Sequence, residues 1–350
     1  MEDEASCAEP GRPSRKPALL LFFLAPAIGE LLSSSAPPVE FFNPILFVIL
    51  TILYGGGALL CRELTVRWHK GWWTLLALGA AYGVAEEGLM VKSFFNPDWQ
   101  DIGALGAYGR WGGVNWVWSV NLTLYHAVIS ITVPVLLAGL VFPQWRNEPW
   151  LTTKSLRIIS LLFVCVVLLG LAAFGDGGDD KTPYRPPVIP YNLTLVVAAA
   201  LVGLARCLPG DRLGPVTATV PPRGRLAAIG LILAGFLAVL GFFVLGFSAP
   251  TSGLPATSAV AAMAGYAALL ATLVYRRSHR PPEWTPRHQW RLAAGALGFF
   301  IAVAPLWEFA AQRPDTTTGM TLVALLALLF LLYVRTRITR AERAAESQGA

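Results

Sequence analysis

The chain has 350 residues, of which 55% are hydrophobic and only 14% are charged, with a formal net charge of +6. An ordinary soluble domain has about 25% charged residues, so this composition excludes the two soluble domains that the length alone would allow. Ten apolar runs, each of about the 20 residues needed to span a bilayer, account for most of the hydrophobic excess. The sequence therefore predicts an all-α, polytopic integral membrane bundle of about ten transmembrane helices.

The predicted helices are separated by clusters of Pro, Gly and charged residues, which are typical of helix ends. The first run resembles a signal peptide, because basic residues precede a short apolar stretch. Glu30 interrupts that stretch, however, and we expect an uncleaved first helix. In chain order the predicted spans are about 18–35, 43–61, 71–91, 114–142, 156–174, 189–207, 226–247, 257–275, 292–311 and 320–334.

Basic residues are distributed unevenly along the predicted loops. With the amino terminus inside the cell, most of the 27 Lys and Arg residues fall on inner segments, as expected for cytoplasmic loops. We therefore expect both termini in the cytoplasm and the chain in the plasma (inner) membrane. The richness in Arg, Ala and Gly indicates a bacterial source. The positive charge follows from this topology, so the lipid bilayer is an expected partner and nucleic acid is not.

The sequence predicts four segments of different character. Residues 1–17 form a cytoplasmic amino-terminal tail, and 18–142 hold helices one to four with most of the polar residues at membrane depth. Residues 143–334 hold helices five to ten, which are mostly apolar, and 335–350 form a cytoplasmic carboxyl-terminal tail.

Four ionisable residues lie at membrane depth in the first four helices. At about 1.5 Å per residue, Glu30 lies about 18 Å and Glu86 and Glu87 about 20 Å above the inner surface. His126 lies about 12 Å below the outer surface, so all four share one band of the bilayer. A charge at the bilayer centre costs at least about 2.5 kcal/mol, which makes these residues functional candidates. Tyr82 is four residues from Glu86 and shares its face.

Helix four carries a polar stripe. At 100° per residue, its members fall within an arc of about 80°, and such a stripe should face other helices or a water-filled cavity. The stripe consists of Asn115, Ser119, Thr123, His126 and Ser130.

Structural interpretations stand beside the functional one. The buried carboxylates can serve only to fix helix packing, and a single buried histidine is more often a packing residue than a catalyst. The outer loop 93–113 is rich in aromatic residues, which indicates either an interfacial belt or a cap over an opening below.

The pair Glu86-Glu87, followed by His126 on the next helix, resembles the motifs of the glutamic-type intramembrane proteases. These are the CAAX-protease and bacteriocin-processing (CPBP) family and, more loosely, the PrsW proteases. The CPBP pattern is Glu-Glu-x-x-x-Arg, then Phe-x-x-x-His, then a second His with Asn on a later helix. Here Val91 stands in the Arg position, Leu122 replaces Phe, and the third motif is absent. The resemblance covers about residues 86–130.

This resemblance implies a membrane-embedded, metal-independent peptidase. Glu86 would act as general base with Glu87 assisting, and His126 would orient a water that attacks a peptide carbonyl. The substrate would be a membrane protein or peptide, and no cofactor or metal is expected. The missing histidine leaves the oxyanion donor open, with Asn115 preferred over Asn121 because the latter lies on the opposite face from the histidine.

Two other functions remain open at this point. A proton- or cation-linked transporter or permease would use Glu30, Glu86, Glu87 and His126 as an ion path. A non-catalytic membrane scaffold would use the same residues to specify helix packing. Fold class does not decide among the three, and the oligomeric state is not indicated by the sequence.

Overall fold

In the computed structural model, the residues described are 15–173, 184–210, 213, 225–278, 284–309 and 316–348. These residues form ten long helices, one at each predicted run, and a single two-stranded hairpin. The predicted all-α polytopic membrane bundle is therefore confirmed. The helices are α1 (15–32), α2 (Pro44–Arg67), α3 (72–90), α4 (Trp116–Val141), α5 (Thr153–Ala173), α6 (Val188–Cys207), α7 (Arg225–Phe247), α8 (Ala256–Ser278), α9 (Pro286–Phe309) and α10 (Met320–Gln348).

Within the described ranges, eight of these helices are long and apolar enough to cross a membrane. The other two are α1 and α3, which carry Glu30, Glu86 and Glu87. Their charges set these two helices apart from the apolar majority. The last helix continues to Gln348, so most of the segment predicted as a carboxyl-terminal tail is helical.

Helix α4 lies at the centre of the amino-terminal half. In the 18-residue apolar stretch of α4, 78% of the residues are buried inside the protein, whereas only 11% are buried in the corresponding stretch of each of α5 to α8. Helices α1, α2 and α3 pack around it, and α6 packs on the outer side of α3. Helices α7, α9 and α10 form a second layer, and each of the three contacts α4, as does α8. Most polar candidates therefore lie on the helices with the least lipid contact.

Small residues bring α3 and α4 into close contact. A Cβ atom added at Gly79 would lie 2.9 Å from the Ala127 Cα, and one added at Gly83 would lie 2.8 Å from the His126 Cβ. Glycines spaced four apart allow such close approach between membrane helices. The crossing therefore places the helical turn after Gly83, which carries the two glutamates, directly beside His126.

The loop between α3 and α4 (the outer loop, after its predicted topology) folds onto the ends of both helices. Phe94 and Phe95 are buried, while Trp111 and Trp116 are exposed and stack on each other at 5.3 Å. The short strands β1 (Arg110–Trp111) and β2 (Val114–Asn115) pair antiparallel in this loop. Phe94 and Phe95 are therefore packed inside the bundle, while Trp111 is exposed beside the first residue of α4.

At the opposite end, Arg62 of α2 holds the connection between α4 and α5. Its buried guanidinium pairs with Glu63 at 2.6 Å and lies 3.7 Å from the Trp150 ring. It also donates to the carbonyl oxygens of Trp145 and Arg146, each at 3.0 Å. In the same connection, burial lowers the pKa of Arg146 to about 10, so this side chain stays charged at neutral pH.

The close crossing of α3 and α4 makes a stability prediction. We expect Gly79→Ala to lower the free energy of unfolding by about 1–3 kcal/mol, because the new methyl group would overlap backbone atoms of α4. Gly203→Ala on α6 is the matched control, since a Cβ atom there meets nothing within 4 Å. Unfolding of both variants in mixed micelles, followed by tryptophan fluorescence, checks this. Equal stability of the two variants would contradict the crossing.

Candidate functional site

The structure brings Glu86, Glu87 and His126 together at the crossing of α3 and α4. The Nε2 atom of His126 lies 3.0 Å from Glu87 Oε1, and its Nδ1 atom lies 3.0 Å from Ser130 Oγ. The Glu86 Oε2 atom lies 3.5 Å from the same Nδ1. All four side chains are buried. The imidazole is therefore held between two carboxylates, with a hydroxyl beside one of its nitrogens.

The outer loop orients Glu87 from the other side. Ser93 donates its hydroxyl hydrogen to Glu87 Oε2 and accepts a hydrogen bond of 3.0 Å from the Trp118 Nε1. A chain of hydrogen bonds thus runs from Trp118 through Ser93 and Glu87 to His126. This chain fixes the position of the carboxylate before any ligand binds.

Glu30 reaches the cluster from α1. Its carboxylate accepts a hydrogen bond from the hydroxyl of Tyr54 on α2, and it lies close enough to Glu86 and His126 to interact with them electrostatically. The shared depth predicted for the four ionisable residues therefore corresponds to a shared site in the structure.

Three tyrosines surround the histidine ring. The ring centroids of Tyr125, Tyr82 and Tyr54 lie 5.3, 5.8 and 5.9 Å from that of His126. Tyr125 also donates its hydroxyl hydrogen to the Gly29 carbonyl at 2.7 Å, which ties α4 to α1. The sequence analysis singled out Tyr82 and missed the other two. Tyrosines within otherwise apolar spans were the sequence signal that could have identified Tyr54 and Tyr125.

Each helix that supplies a cluster residue is locally widened into a π-helical turn. Each of these turns contains a cluster residue, namely Glu30, Tyr54, the pair Glu86 and Glu87, or His126. Such turns are rare and occur frequently at functional sites. Nothing in the residue pattern signalled them. They span Ala27–Leu32, Thr51–Gly55, Val84–Met90 and His126–Thr132.

The polar stripe of α4 does not act as one unit. Asn115 caps the helix, since its Oδ1 accepts from the Trp118 backbone N–H at 3.0 Å and its amide donates to the Leu105 carbonyl at 2.6 Å. Ser119 donates to the Asn115 carbonyl, and Thr123 is half-buried. The stripe is about 22 Å long. Of its members, His126 reaches the carboxylates, and Ser130 contacts His126. Asn115 is therefore engaged as a helix cap, about three turns from His126 along α4.

Two buried polar atoms of the cluster lack a hydrogen-bond partner in the described part of the chain. They are the Oε2 atom of Glu86, an acceptor, and the hydroxyl of Tyr82, a donor. Tyr82 and Glu86 lie close enough to interact with each other, and Glu86 Oε2 is 3.5 Å from His126 Nδ1. Buried polar groups are nearly always paired, so exceptions call for an explanation. A water or substrate group between these two atoms would satisfy both.

The same residues include a set of donor atoms that could hold a metal ion. One ligand atom each from Glu86, Glu87 and His126 lie within 4.8 Å of one another. Carboxylate oxygen and imidazole nitrogen together suit zinc and other divalent transition metals. The sequence analysis expected no metal here, and the geometry adds this ligand set to the chemistry that the cluster can support.

The serine that links loop and cluster makes a second stability prediction. We expect Ser93→Ala to lower the free energy of unfolding by about 1–3 kcal/mol, because Glu87 Oε2 and Trp118 Nε1 would lose their shared partner while buried. Ser35→Ala, at an exposed position, is the control and should change stability little. Chemical unfolding in detergent micelles measures both. A neutral effect of Ser93→Ala would argue against the chain of hydrogen bonds.

Comparisons with known proteins give a family and no activity. No curated protein and no solved structure matches the chain. A family model described as an uncharacterized membrane protein family matches residues 19–342. The match supports a membrane protein and lends no support to the resemblance to the CPBP or PrsW proteases. Because the match covers nearly the whole length, the chain belongs to this family of membrane proteins.

Proposed function

We propose that the cluster around His126 is the active site of a membrane-embedded hydrolase. One observation carries the proposal, namely that Glu86 Oε2 and the Tyr82 hydroxyl are buried, lack a hydrogen-bond partner of normal geometry in the described residues, and lie close to each other beside an imidazole held by two neighbours. Base-catalysed addition of water to a carbonyl needs an acceptor for the water proton and a donor for the developing oxyanion.

The residues take complementary roles in this reaction. Glu86 accepts a proton from water as the water oxygen attacks the carbonyl carbon of a peptide bond. The oxyanion that forms accepts a hydrogen bond from Tyr82, in place of the asparagine expected from the sequence. Glu86 then passes its proton to the leaving nitrogen as the C–N bond breaks, which yields a carboxylic acid and an amine. His126 lies 3.5 Å from Glu86 Oε2 and positions this base, and Glu87 and Ser130 position His126.

Burial strengthens each of these interactions. Glu86 is 4% exposed and His126 is 1% exposed, so bulk water does not screen their charges. Preorganised donors and acceptors in a water-excluded site contribute far more to catalysis than they would in water. The substrate class that fits such a location is a membrane-embedded protein or peptide segment.

Oxygen-18 labelling tests the hydrolase directly. We expect the protein, reconstituted in liposomes with a panel of single-span transmembrane peptides in labelled water, to produce new carboxyl termini that carry the label. Glu86→Gln should reduce the labelled product at least about 100-fold, which is the usual contribution of a general base. Tyr82→Phe should reduce it by about 100-fold or more as an oxyanion donor is lost. Mass spectrometry of the peptides measures the label.

The controls separate the proposed chemistry from other causes. Glu148→Gln changes an exposed carboxylate and should leave the labelled product unchanged. Treatment with 1,10-phenanthroline should also leave it unchanged, because protein side chains already hold both imidazole nitrogens. Inhibition reversed by zinc would instead assign water activation to a metal. Equal labelling by wild type and Glu86→Gln would refute Glu86 as the base.

A proton- or cation-linked transporter is the second candidate. The observation that favours it is the presence of Glu30 in the cluster, because the hydrolytic steps do not require a third carboxylate. Together with Glu86, Glu87 and His126 it forms a connected set of titratable groups on three helices. Intramembrane sets of this kind form proton relays in transporters and pumps.

Ion flux distinguishes the transporter from the hydrolase. If protons cross through the cluster, proteoliposomes that contain the pH dye pyranine should respond to an imposed sodium or pH gradient faster than protein-free liposomes. Glu30→Gln should abolish the response, because the neutral side chain cannot exchange a proton, and Glu148→Gln should not. A wild-type signal no faster than that of protein-free liposomes would remove this candidate.

A further inference from the structure

A second polar feature lies at the end of the bundle where α9 begins and α10 approaches its carboxyl terminus. A cavity of about 230 Å³ opens there between the two helices. This volume accommodates a phosphate group with the carbon atoms attached to it. The cavity is lined by Arg287, Trp290, Arg291, Arg335, Ile338 and Thr339.

Positive charge dominates this cavity. Arg287 forms an ion pair with Glu342 of α10, which leaves Arg291 and Arg335 in excess. The Arg335 guanidinium lies 5.9 Å from the Trp290 ring centroid. The Nη1 atom of Arg291 is buried and has no hydrogen-bond partner in the residues described. A ligand in the cavity could therefore accept a hydrogen bond from this buried guanidinium N–H.

The helix itself adds to the positive potential. Arg287 and Arg291 lie in the first two turns of α9, where the helix dipole is positive and basic side chains are unfavourable. Arg335 brings a third guanidinium to the same place. An anion in the cavity would offset both the repulsion among the guanidiniums and the unfavourable dipole.

The remaining walls of the cavity are apolar, and exposed apolar side chains lie nearby along α10. Trp290 and Ile338 are buried apolar walls, and Leu332 and Tyr333, one turn back along α10, are exposed on the surface of the bundle. A ligand that carries a phosphate group and an apolar chain could place its phosphate among the arginines and its apolar chain along α10. Anionic phospholipids have this form, and basic pockets between membrane helices bind their headgroups.

We propose that this cavity is a binding site for a phosphate group, carried by an anionic phospholipid or present as a free phosphate anion. The planar guanidiniums of Arg291 and Arg335 donate paired hydrogen bonds to its oxygens, and Thr339 is a further donor on the cavity wall. The site lies on helices other than those of the His126 cluster, so it is independent of the proposed hydrolase.

Native mass spectrometry of the purified full chain tests this site. We expect phosphatidylglycerol to bind at least about 10-fold more tightly than phosphatidylcholine, whose headgroup carries no net charge. Arg291→Gln and Arg335→Gln should each weaken phosphatidylglycerol binding about 10-fold, since each removes charge-assisted hydrogen bonds. Arg340→Gln, an exposed basic position on the same helix, is the control and should bind as wild type.

The same measurement with inorganic phosphate distinguishes a lipid headgroup from a free phosphate anion as the ligand. The ligand is a free anion if millimolar phosphate displaces phosphatidylglycerol and if phosphate also binds in the absence of lipid. That binding should be lost in Arg291→Gln. Phosphatidylglycerol retained in excess phosphate assigns it to the lipid. The proposal would be overturned if Arg291→Gln and Arg335→Gln bound phosphatidylglycerol and phosphate as tightly as wild type does, at melting temperatures equal to that of wild type.

Discussion

The absence of water in the hydrocarbon core is the constraint on which this structure depends. A carboxylate or imidazole at that depth must find its partners inside the protein, since lipid supplies none. The first four helices meet this constraint by turning their polar side chains toward one another around His126. The remaining helices carry few such groups in the described ranges and present apolar side chains outward. The bundle is therefore organised around its polar centre, with α4 as the most buried helix.

Close packing and irregular helix geometry bring that centre together. Gly79 and Gly83 permit α3 to lie against α4, and π-helical turns in four helices present the cluster residues at one level. The outer loop contributes Ser93, which joins Trp118 to Glu87. Two buried atoms in this otherwise paired centre remain free, on Glu86 and Tyr82. A site that pairs most of its polar groups and leaves a matched donor and acceptor is suited to binding a water or substrate group.

Arginines are used in two ways at one end of the bundle, where Arg146 of the connection between α4 and α5 donates to Gln289 of α9. The Nη atoms of Arg62 pair with carbonyl oxygens and with Glu63, and this side chain fixes the connection between α4 and α5. Arg291 of α9 lines a cavity between α9 and α10, and its buried Nη1 has no hydrogen-bond partner in the described residues. The same residue type thus stabilises the chain in one place and is available to an anion in the other.

The sequence by itself determined the class of protein and the positions of its helices. Long apolar runs specify membrane helices whatever their neighbours are, and the energetic penalty for intramembrane charge singled out Glu30, Glu86, Glu87 and His126. Tertiary structure decided which of these groups touch, because contact depends on helix crossings and π-helical turns that leave no periodic pattern. It also showed Asn115 to be a helix cap and added Tyr54, Ser93 and Tyr125 to the site. Their partners lie on other helices or in the outer loop, and only the folded chain brings such distant segments within hydrogen-bond distance.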